Sequence, residues 1–163
     1  ASGLGALHSP NTGIVDYKLV AKAYAEDAEQ QGVDLFTSCK FLGYKFQNGK
    51  TYLNTTDGDF ETEWTINCAG LYADKIANKM DVYSDTRIIP FRGEFFSIIP
   101  EKSSMIKGLI YPVPQPELPF LGVHFTKRVD GTIEAGPNAV LAFAREGYKK
   151  TDFSIADLFE YLR

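Results

Sequence analysis

The stretch GLIYPVPQPELPFLGVHFTKRVDGTIEAGPNAVLAFAREGY, residues 108–148, decides the fold that this sequence predicts. Its β-prone runs at residues 109–113, 120–126 and 132–135 predict three short strands. Asp130-Gly131 is a hairpin signal, because glycine tolerates the positive φ of a tight turn. Prolines occur at the end of the first run and between it and the second, and proline cannot donate a hydrogen bond to a sheet. We therefore expect an edge, a corner or a loop that shapes the wall of a pocket. The prolines are Pro112, Pro114, Pro116 and Pro119.

Three helices are predicted around this stretch. Asp16 is the expected N-cap of a helix over residues 17–31, and Gly32 is its expected C-cap. A second helix is predicted over residues 71–79. Ser154 is the expected N-cap of a third, with the carboxylate of Asp157 in a capping-box position. The expected apolar face of the third helix is Ile155, Leu158, Phe159 and Leu162.

Further strands precede the opening stretch. Asn48-Gly49 is the strongest hairpin signal in the chain, and Pro90 interrupts the longest run. These strands are expected over residues 33–37, 40–47, 51–54, 61–67 and 87–99. The fold class is therefore α+β, with a mixed, largely antiparallel sheet and helices packed on it.

Composition narrows the function classes. The net charge of −4 over 163 residues argues against nucleic-acid binding, which requires a basic face. No run approaches the roughly 18 apolar residues of a membrane span. Cys39 and Cys68 form no metal-ligand set and no disulfide framework, which favours a reducing, cytoplasmic setting. We expect Cys68 to be a small buried apolar residue, and we expect no metal site.

Several motifs resemble one known family. The opening stretch contains YPVPxPxxPFLGVHFT and DGxIxxGPNAVLAFxREGY, and three more motifs follow the family order: HSPNTGIVDY at residues 8–17, INCAGLYAD at 66–74 and IIPFRGEFF at 88–96. Together they resemble the L-2-hydroxyglutarate oxidases and dehydrogenases. These enzymes belong to the flavin-dependent superfamily typified by D-amino-acid oxidase.

The resemblance implies FAD-dependent oxidation of a small dicarboxylic 2-hydroxy acid, L-2-hydroxyglutarate, to 2-oxoglutarate. Electrons would pass to oxygen or to a membrane quinone carrier, the latter implying a peripheral membrane location. Relatives that oxidise glycine, D-amino acids or glycerol 3-phosphate are the alternatives within the superfamily. A binding domain without catalysis of its own is the alternative from another class.

The expected dinucleotide site is incomplete in this sequence. A flavoenzyme of this kind needs a strand, then GxGxxG, then a helix, whereas the glycine pair Gly3 and Gly5 has no strand before it. We therefore expect an internal fragment of a longer protein that purifies without bound FAD and self-associates through exposed apolar surface. We divide it into a helix and strand meander (1–65), part of the FAD domain (66–80), a substrate-binding sheet (87–150) and a C-terminal helix (151–163).

Two turns are candidates for cofactor contact. The resemblance implies that Ala69 and Gly70, where a strand meets a helix, lie against the adenosine-diphosphate part of FAD. The alternative is a glycine required only for close packing of helix on strand. The resemblance also places Gly136 and Asn138 beside the flavin ring.

His124 is the candidate catalytic base, since imidazole is the side chain best suited to exchange protons near neutral pH. A histidine on an apolar strand is also commonly a hydrogen-bonded core residue. Tyr111 and Thr126 present polar tips that could hydrogen-bond a substrate oxygen. Arg92, Arg145 and Lys107 are candidate clamps for a substrate carboxylate, because a guanidinium can donate two parallel hydrogen bonds to one.

Two of these assignments have structural alternatives. Arg92 is equally suited to an ion pair with Glu94. By resemblance, His8 passes near the flavin or substrate, whereas by its loop sequence it is a surface histidine in a turn.

Overall fold

The computed structural model describes residues 4–82, 85–117, 120 and 122–162, so Gly3, Pro119 and Leu121 lie outside the described residues. The helices are α1 Tyr17–Gln30, α2 Ala73–Lys79 and α3 Ile155–Leu162. The strands are β1 Phe41–Gln47, β2 Lys50–Thr55, β3 Gly58–Thr62, β4 Phe91–Arg92, β5 Phe96–Ser97, β6 His124–Lys127, β7 Ile133–Gly136 and β8 Val140–Leu141. The named strands pair antiparallel. The predicted α+β class is confirmed.

The chain folds as two compact units, each built from two separate stretches. The first unit contains the chain up to Asp34 together with Glu94–Asn138, and the second contains Leu35–Gly93 and the chain from Ala139. The four consecutive segments predicted from the sequence divide the chain by function, whereas the two units divide it by compactness. The functional division therefore stays a prediction.

In the first unit, α1 has the predicted caps. The Asp16 carboxylate accepts a hydrogen bond from the Lys18 N–H at 2.9 Å. At the other end Gly32 has φ +85°. The N–H of Gly32 donates to the Glu29 carbonyl, and that of Val33 donates to the Ala28 carbonyl. These two bonds form a Schellman motif, which satisfies carbonyls that the helix itself leaves unpaired.

The first unit also contains the sheet β5–β7–β6. The predicted turn at Asp130-Gly131 joins β6 to β7, with Gly131 at φ +85°. Its carboxylate Asp130 Oδ1 accepts from the Thr132 N–H at 2.9 Å and lies 2.7 Å from the Thr132 hydroxyl. Ile133, 1% exposed, is the buried centre of this sheet. The strand predicted over residues 109–113 is wrong in extent, because it makes only one bridge, between Ile110 and Phe125.

The second unit contains the sheet β1–β2–β3. Asn48 at φ 53° and Gly49 at φ 78° form the predicted hairpin turn between β1 and β2. The strand predicted over residues 33–37 is wrong, because none of the described residues pairs with it in a sheet, although the Phe36 ring packs edge-on against Phe60. The strand predicted over residues 61–67 ends at Thr62.

The long strand predicted over residues 87–99 divides into β4 and β5. β4 pairs with β8 in the second unit, and β5 pairs with β7 in the first. Pro90 and Gly93 flank β4. Proline has no N–H to donate to a sheet ladder, and glycine weakens a strand, so both favour a short one. The run predicted as one long strand, interrupted at Pro90, therefore contributes to two separate sheets.

The last helix begins as predicted. The Ser154 hydroxyl accepts from the Asp157 N–H at 3.2 Å, which confirms the N-cap. The Asp157 carboxylate does not complete a capping box, because it accepts from the Arg145 N–H at 2.9 Å instead. On the expected apolar face, Ile155 and Phe159 are 64% and 70% exposed. The side chain of Leu162 lies outside the described residues.

Apolar surface is widely exposed. Large apolar side chains are exposed in both units, for example Val113 at 86% in the first and Trp64 at 85% in the second. Cys68 is exposed, so its prediction as a buried residue is wrong. Among the described helices, none combines the length and the hydrophobicity that crossing a membrane requires.

Candidate functional site

Three predicted substrate residues share one face of the first unit. Antiparallel partners project to the same side of a sheet, and neighbours along a strand alternate. His124 and Thr126 lie two residues apart on β6 and therefore share a face. The bridge between Ile110 and Phe125 places Tyr111 on the side of His124, and the rings of Tyr111 and His124 are in contact with centroids 4.5 Å apart. We call this set, Tyr111, His124 and Thr126, the polar face.

A single hydrogen bond fixes the tautomer of His124. Its Nδ1 lies 3.0 Å from the carbonyl oxygen of Gly122. A carbonyl oxygen can only accept, so Nδ1 donates and carries the ring proton. In the neutral ring Nε2 therefore has the lone pair. The half-buried imidazole thus presents an acceptor nitrogen, which is the state that a general base requires.

Proline packing explains the glycine that holds this imidazole. A Cβ added at Gly122 would lie 2.9 Å from Pro112 Cγ, an atom of a rigid ring. The proline-rich segment and the start of β6 therefore approach each other closely. This contact supports the predicted wall formed by the proline segment next to the polar face.

The Ala69–Gly70 turn is exposed in the second unit. Gly70 has φ +52°, and a Cβ added there would meet nothing within 4 Å. The Asn67 side chain holds the turn, because its Oδ1 accepts from the Ala69 N–H at 3.1 Å and its Nδ2 donates to the Ala73 carbonyl at 2.8 Å. Within the described residues, the N–H groups of Gly70 and Leu71 donate to no protein acceptor. Open space beside two unused donors fits an acceptor-rich group such as the FAD diphosphate.

The second predicted cofactor turn is filled by its own unit. A Cβ at Gly136, φ +156°, would lie 2.8 Å from the Glu94 carbonyl oxygen, so close packing accounts for this glycine. The Asn138 amide accepts from the Glu94 N–H at 2.9 Å and donates to the Glu94 carboxylate at 3.2 Å. The predicted contact of Gly136 and Asn138 with the flavin ring stays a prediction.

Arg145 is 3% exposed and is held by carboxylates of the second unit. Its Nη1 and Nη2 donate to the two oxygens of Asp74 at 2.7 and 3.0 Å, and Nη2 also donates to Glu160 at 3.3 Å. Nη1 donates further to the Leu71 carbonyl at 2.6 Å. These contacts favour a structural ion pair. The carboxylate-clamp role of Arg145 stays a prediction.

The charges around Arg145 shift the pKa values of two carboxyl groups. Burial raises the pKa of Asp74, but hydrogen bonds from Arg145, the Ile88 N–H and the Lys75 N–H outweigh it, so the pKa lies below its ordinary value. The Arg145 N–H lowers the pKa of Asp157 against an opposing effect of burial, and Lys75 lowers it further. Both groups are therefore carboxylates at neutral pH.

Arg92, His8 and Lys107 are not members of the polar face. Arg92 belongs to the second unit, where its Nη1 donates to the carbonyls of Gly147 and Lys149 at 3.3 and 3.1 Å. His8 is exposed before α1, and Lys107 is exposed in the first unit. Their substrate roles stay predictions. No cluster of His, Cys, Asp or Glu among the described residues could hold a metal ion.

Sequence reasoning missed Asn67. The signal was present, because asparagine side chains commonly bind the backbone N–H two residues ahead, and Ala69 stands at that position. It also missed the pairing of Asp74 with Arg145, which are 71 residues apart in the chain. No local pattern indicates a contact over such a separation.

Comparison with known proteins gives a consistent result. A family model described as FAD dependent oxidoreductase matches residues 2–163. An L-2-hydroxyglutarate dehydrogenase of Indibacter alkaliphilus is 51% identical over 99% of this chain and 41% of its own length. The mitochondrial L-2-hydroxyglutarate dehydrogenase of Homo sapiens is 42% identical over 98% of this chain and 37% of its own. The L-2-hydroxyglutarate dehydrogenase of Escherichia coli K12 is 41% identical over 99% of this chain and 38% of its own length.

The chain thus spans about two fifths of the length of these relatives. The family model, in contrast, extends over nearly every residue of the chain. The chain belongs to the FAD dependent oxidoreductase family.

Proposed function

We propose that this chain forms part of a flavoenzyme that oxidises L-2-hydroxyglutarate to 2-oxoglutarate. The names of the relatives support the substrate. The observation that carries the proposal is the polar face, where His124 has a fixed tautomer beside Tyr111. Such a face can bind a hydroxyl group and remove its proton.

Ala69 and Gly70 are the residues that we propose to hold FAD, with Gly136 and Asn138 as the second proposed contact. When bound, FAD supplies the redox chemistry of the reaction, and the protein supplies position and charge. The support for the first turn is its open space and its unused N–H groups.

In this proposal His124 removes the proton of the substrate hydroxyl at Nε2. The Gly122 carbonyl keeps the other nitrogen protonated, so the base does not change tautomer. Tyr111 and Thr126 donate hydrogen bonds to substrate oxygens, which orients the substrate against the imidazole. Arg92 and His8 bind the substrate carboxylates in this proposal. Arg145 is the further candidate for that role, although its guanidinium donates to the Asp74 carboxylate.

The test is the change His124→Ala in the full-length protein. We expect kcat to fall by about 10²–10⁴-fold, the range for loss of a general base, with a much smaller change in KM. The matched control is Lys127→Ala, because Lys127 lies on the same strand but on the opposite face. A wild-type kcat for His124→Ala would remove His124 from the mechanism.

Substrate and acceptor are tested separately with wild-type enzyme. Turnover of L-2-hydroxyglutarate should exceed turnover of glycine, D-amino acids and glycerol 3-phosphate. Oxygen uptake during turnover would identify oxygen as the acceptor. Reduction of a soluble quinone without oxygen uptake would identify a quinone carrier and support a peripheral membrane location. The cytoplasmic location stays a prediction, and several relatives are named mitochondrial.

A further inference from the structure

We propose that Arg128 binds the distal carboxylate of the substrate and thereby selects dicarboxylic over monocarboxylic 2-hydroxy acids. The proposal rests on the function proposed above and adds a specificity residue to it. In that function Arg92 and His8 bind the substrate carboxylates, and Arg128 joins them. Arg128 lies in the same unit as His124, on the chain that continues directly from β6.

Sheet register places Arg128 on the side of the sheet that carries the polar face. Arg128 follows His124 and Thr126 at intervals of two residues, so all three project to one side. Its N–H donates to the Thr132 carbonyl at 2.8 Å, which continues the pairing beyond the end of β6. The Arg128 Nη2 lies 2.6 Å from Oε2 of Glu134, the residue that pairs with Thr126. The guanidinium is therefore on the side of His124.

The ion pair inclines the Arg128 guanidinium toward His124. Arg128 lies opposite Thr132, whereas its partner Glu134 lies opposite Thr126, two residues nearer to His124. The Cα atoms of His124 and Arg128 are about 13 Å apart at the usual rise of a strand. A side chain that leans along the strand shortens the gap. Thr126 thus lies between an imidazole on one side and a cation on the other.

This arrangement matches a molecule with a hydroxyl group toward one end and a carboxylate at the other. In the proposed function His124 removes the proton of the hydroxyl group, so that end of the substrate lies at the imidazole. The distal carboxylate then extends past Thr126 to Arg128, whose planar guanidinium can donate two parallel hydrogen bonds. Among the described residues, Glu134 is the one carboxylate in an ion pair with Arg128. Other N–H groups of the guanidinium can therefore bind a second carboxylate.

The ion pair itself contributes little to stability. The side chains of Arg128 and Glu134 are 52% and 17% exposed, and pairs that water reaches add little to the free energy of unfolding. Replacement of Arg128 should therefore leave the fold intact. A kinetic effect of the replacement can then be assigned to substrate binding.

The experiment compares two substrates in the full-length enzyme with the change Arg128→Met. L-2-hydroxyglutarate has the distal carboxylate, and L-2-hydroxybutyrate lacks it. We expect the KM for L-2-hydroxyglutarate to rise about 10–100-fold with little change in kcat, as for the loss of a hydrogen bond between charged groups. The kcat/KM for L-2-hydroxybutyrate should stay at the wild-type value.

Lys127→Met is the matched control. It removes a positive charge from the neighbouring residue, whose side chain projects to the opposite side of the sheet. Both substrates should be oxidised by this variant as by wild type, and the thermal midpoints of the two variants should agree.

Two further measurements separate charge, geometry and turnover. Arg128→Lys keeps the charge but loses the planar fork, so we expect a KM between those of wild type and Arg128→Met. Competitive inhibition repeats the comparison without turnover of the test compound. The change Arg128→Met should weaken inhibition by glutarate, which has two carboxylates, and leave inhibition by butyrate unchanged.

Two results would overturn the specificity role of Arg128. One is a wild-type KM for L-2-hydroxyglutarate in Arg128→Met. The other is an equal loss with dicarboxylic and monocarboxylic compounds, which would show that Arg128 supports the site as a whole. A wild-type enzyme that does not oxidise L-2-hydroxyglutarate would instead overturn the function proposed above.

Discussion

His124 depends on a residue that carries no side chain. The Gly122 carbonyl fixes the imidazole tautomer. This position has no room for a side chain, because a Cβ there would lie 2.9 Å from Pro112 Cγ. The chemistry of the polar face thus relies on the packing of the Pro112 ring against the backbone just before β6. A single added methyl group is enough to test it.

We expect Gly122→Ala to lower both activity and stability. The new Cβ would lie 2.9 Å from Pro112 Cγ, and overpacking of this kind costs about 1–3 kcal/mol. Relief of the clash would move the Gly122 carbonyl away from Nδ1. The measurements are the thermal midpoint and kcat of the full-length protein.

The control for this change is Gly108→Ala in the same unit. A Cβ added at Gly108 would meet no atom within 4 Å, and the φ of Gly108 is not positive, so the substitution should be nearly neutral. If both variants behave alike, the Pro112 contact does not support the site.

The sequence alone indicated the members of the polar face but not the contact between them. His124 and Thr126 share a face by strand alternation, which can be read from their spacing. The position of Tyr111 over the imidazole depends on one bridge between strands, and spacing along the chain does not specify it. The packing of Pro112 on Gly122 is hidden for the same reason.

Among the elements, α2, α3 and the segment after β8 are joined by a group of ion pairs. Arg145 binds Asp74 on α2 and Glu160 on α3, and Lys75 forms ion pairs with Asp157 and Glu160 at 3.2 and 3.0 Å. The Arg145 and Asp74 side chains are 2% and 7% exposed. Breaking a buried pair is costly, because the remaining charge is left without a partner.

We expect Arg145→Met to destabilise the protein by about 3–5 kcal/mol, the range for a broken buried pair. The double variant with Asp74→Asn should lose less than the sum of the two single changes, with a coupling of about 0.5–3 kcal/mol. Urea unfolding of the apoprotein measures both quantities. If Arg145→Met kept full stability and raised only KM, a carboxylate clamp would be the correct role.

Acid should weaken the ion pair between Asp74 and Arg145. The pKa of Asp74 is lower in the folded chain than in the unfolded chain, so folding favours the charged form. The contribution of Asp74 to the free energy of unfolding is complete above the ordinary aspartate pKa of about 3.9. It is lost as pH falls through the lower pKa that Asp74 has in the folded chain. We expect the urea midpoint of wild type to fall more steeply below about pH 4 than that of Asp74→Asn. Parallel curves would show that Asp74 does not carry this dependence.

Helices and hairpins were predictable, whereas strand partners were not. The caps at Asp16 and Ser154 and the turn at Asn48-Gly49 are local signals, and the structure confirms them. Residues 33–37 have the composition of a strand but no neighbour to pair with. Sheet pairing is a property of distant segments, so composition cannot supply it.

Over the whole molecule, exposed apolar side chains are the dominant surface feature. Large apolar side chains are exposed in each of the two units. On α3, Ile155 and Phe159 lie four residues apart and are both largely exposed. Such surfaces commonly mark contacts with other protein.

We expect the isolated 163-residue chain to self-associate and to purify without the yellow colour of flavin. Changing Ile155 and Phe159 together to Ser should reduce association, because it removes exposed apolar surface. The change should cost little stability, because both side chains are exposed. Light scattering against concentration and a visible spectrum provide the measurements. A monomer at all concentrations, or a fully yellow chain, would contradict the expectation.

The interleaving of the two units has a consequence for biosynthesis. The meander β1–β3 joins neighbouring residues and can form as soon as it leaves the ribosome. β5 must wait for β7, β4 must wait for β8, and Asp74 has no cation until Arg145 is translated. Throughout that interval a nascent chain carries unpaired strand edges, which are the surfaces through which partly folded chains aggregate.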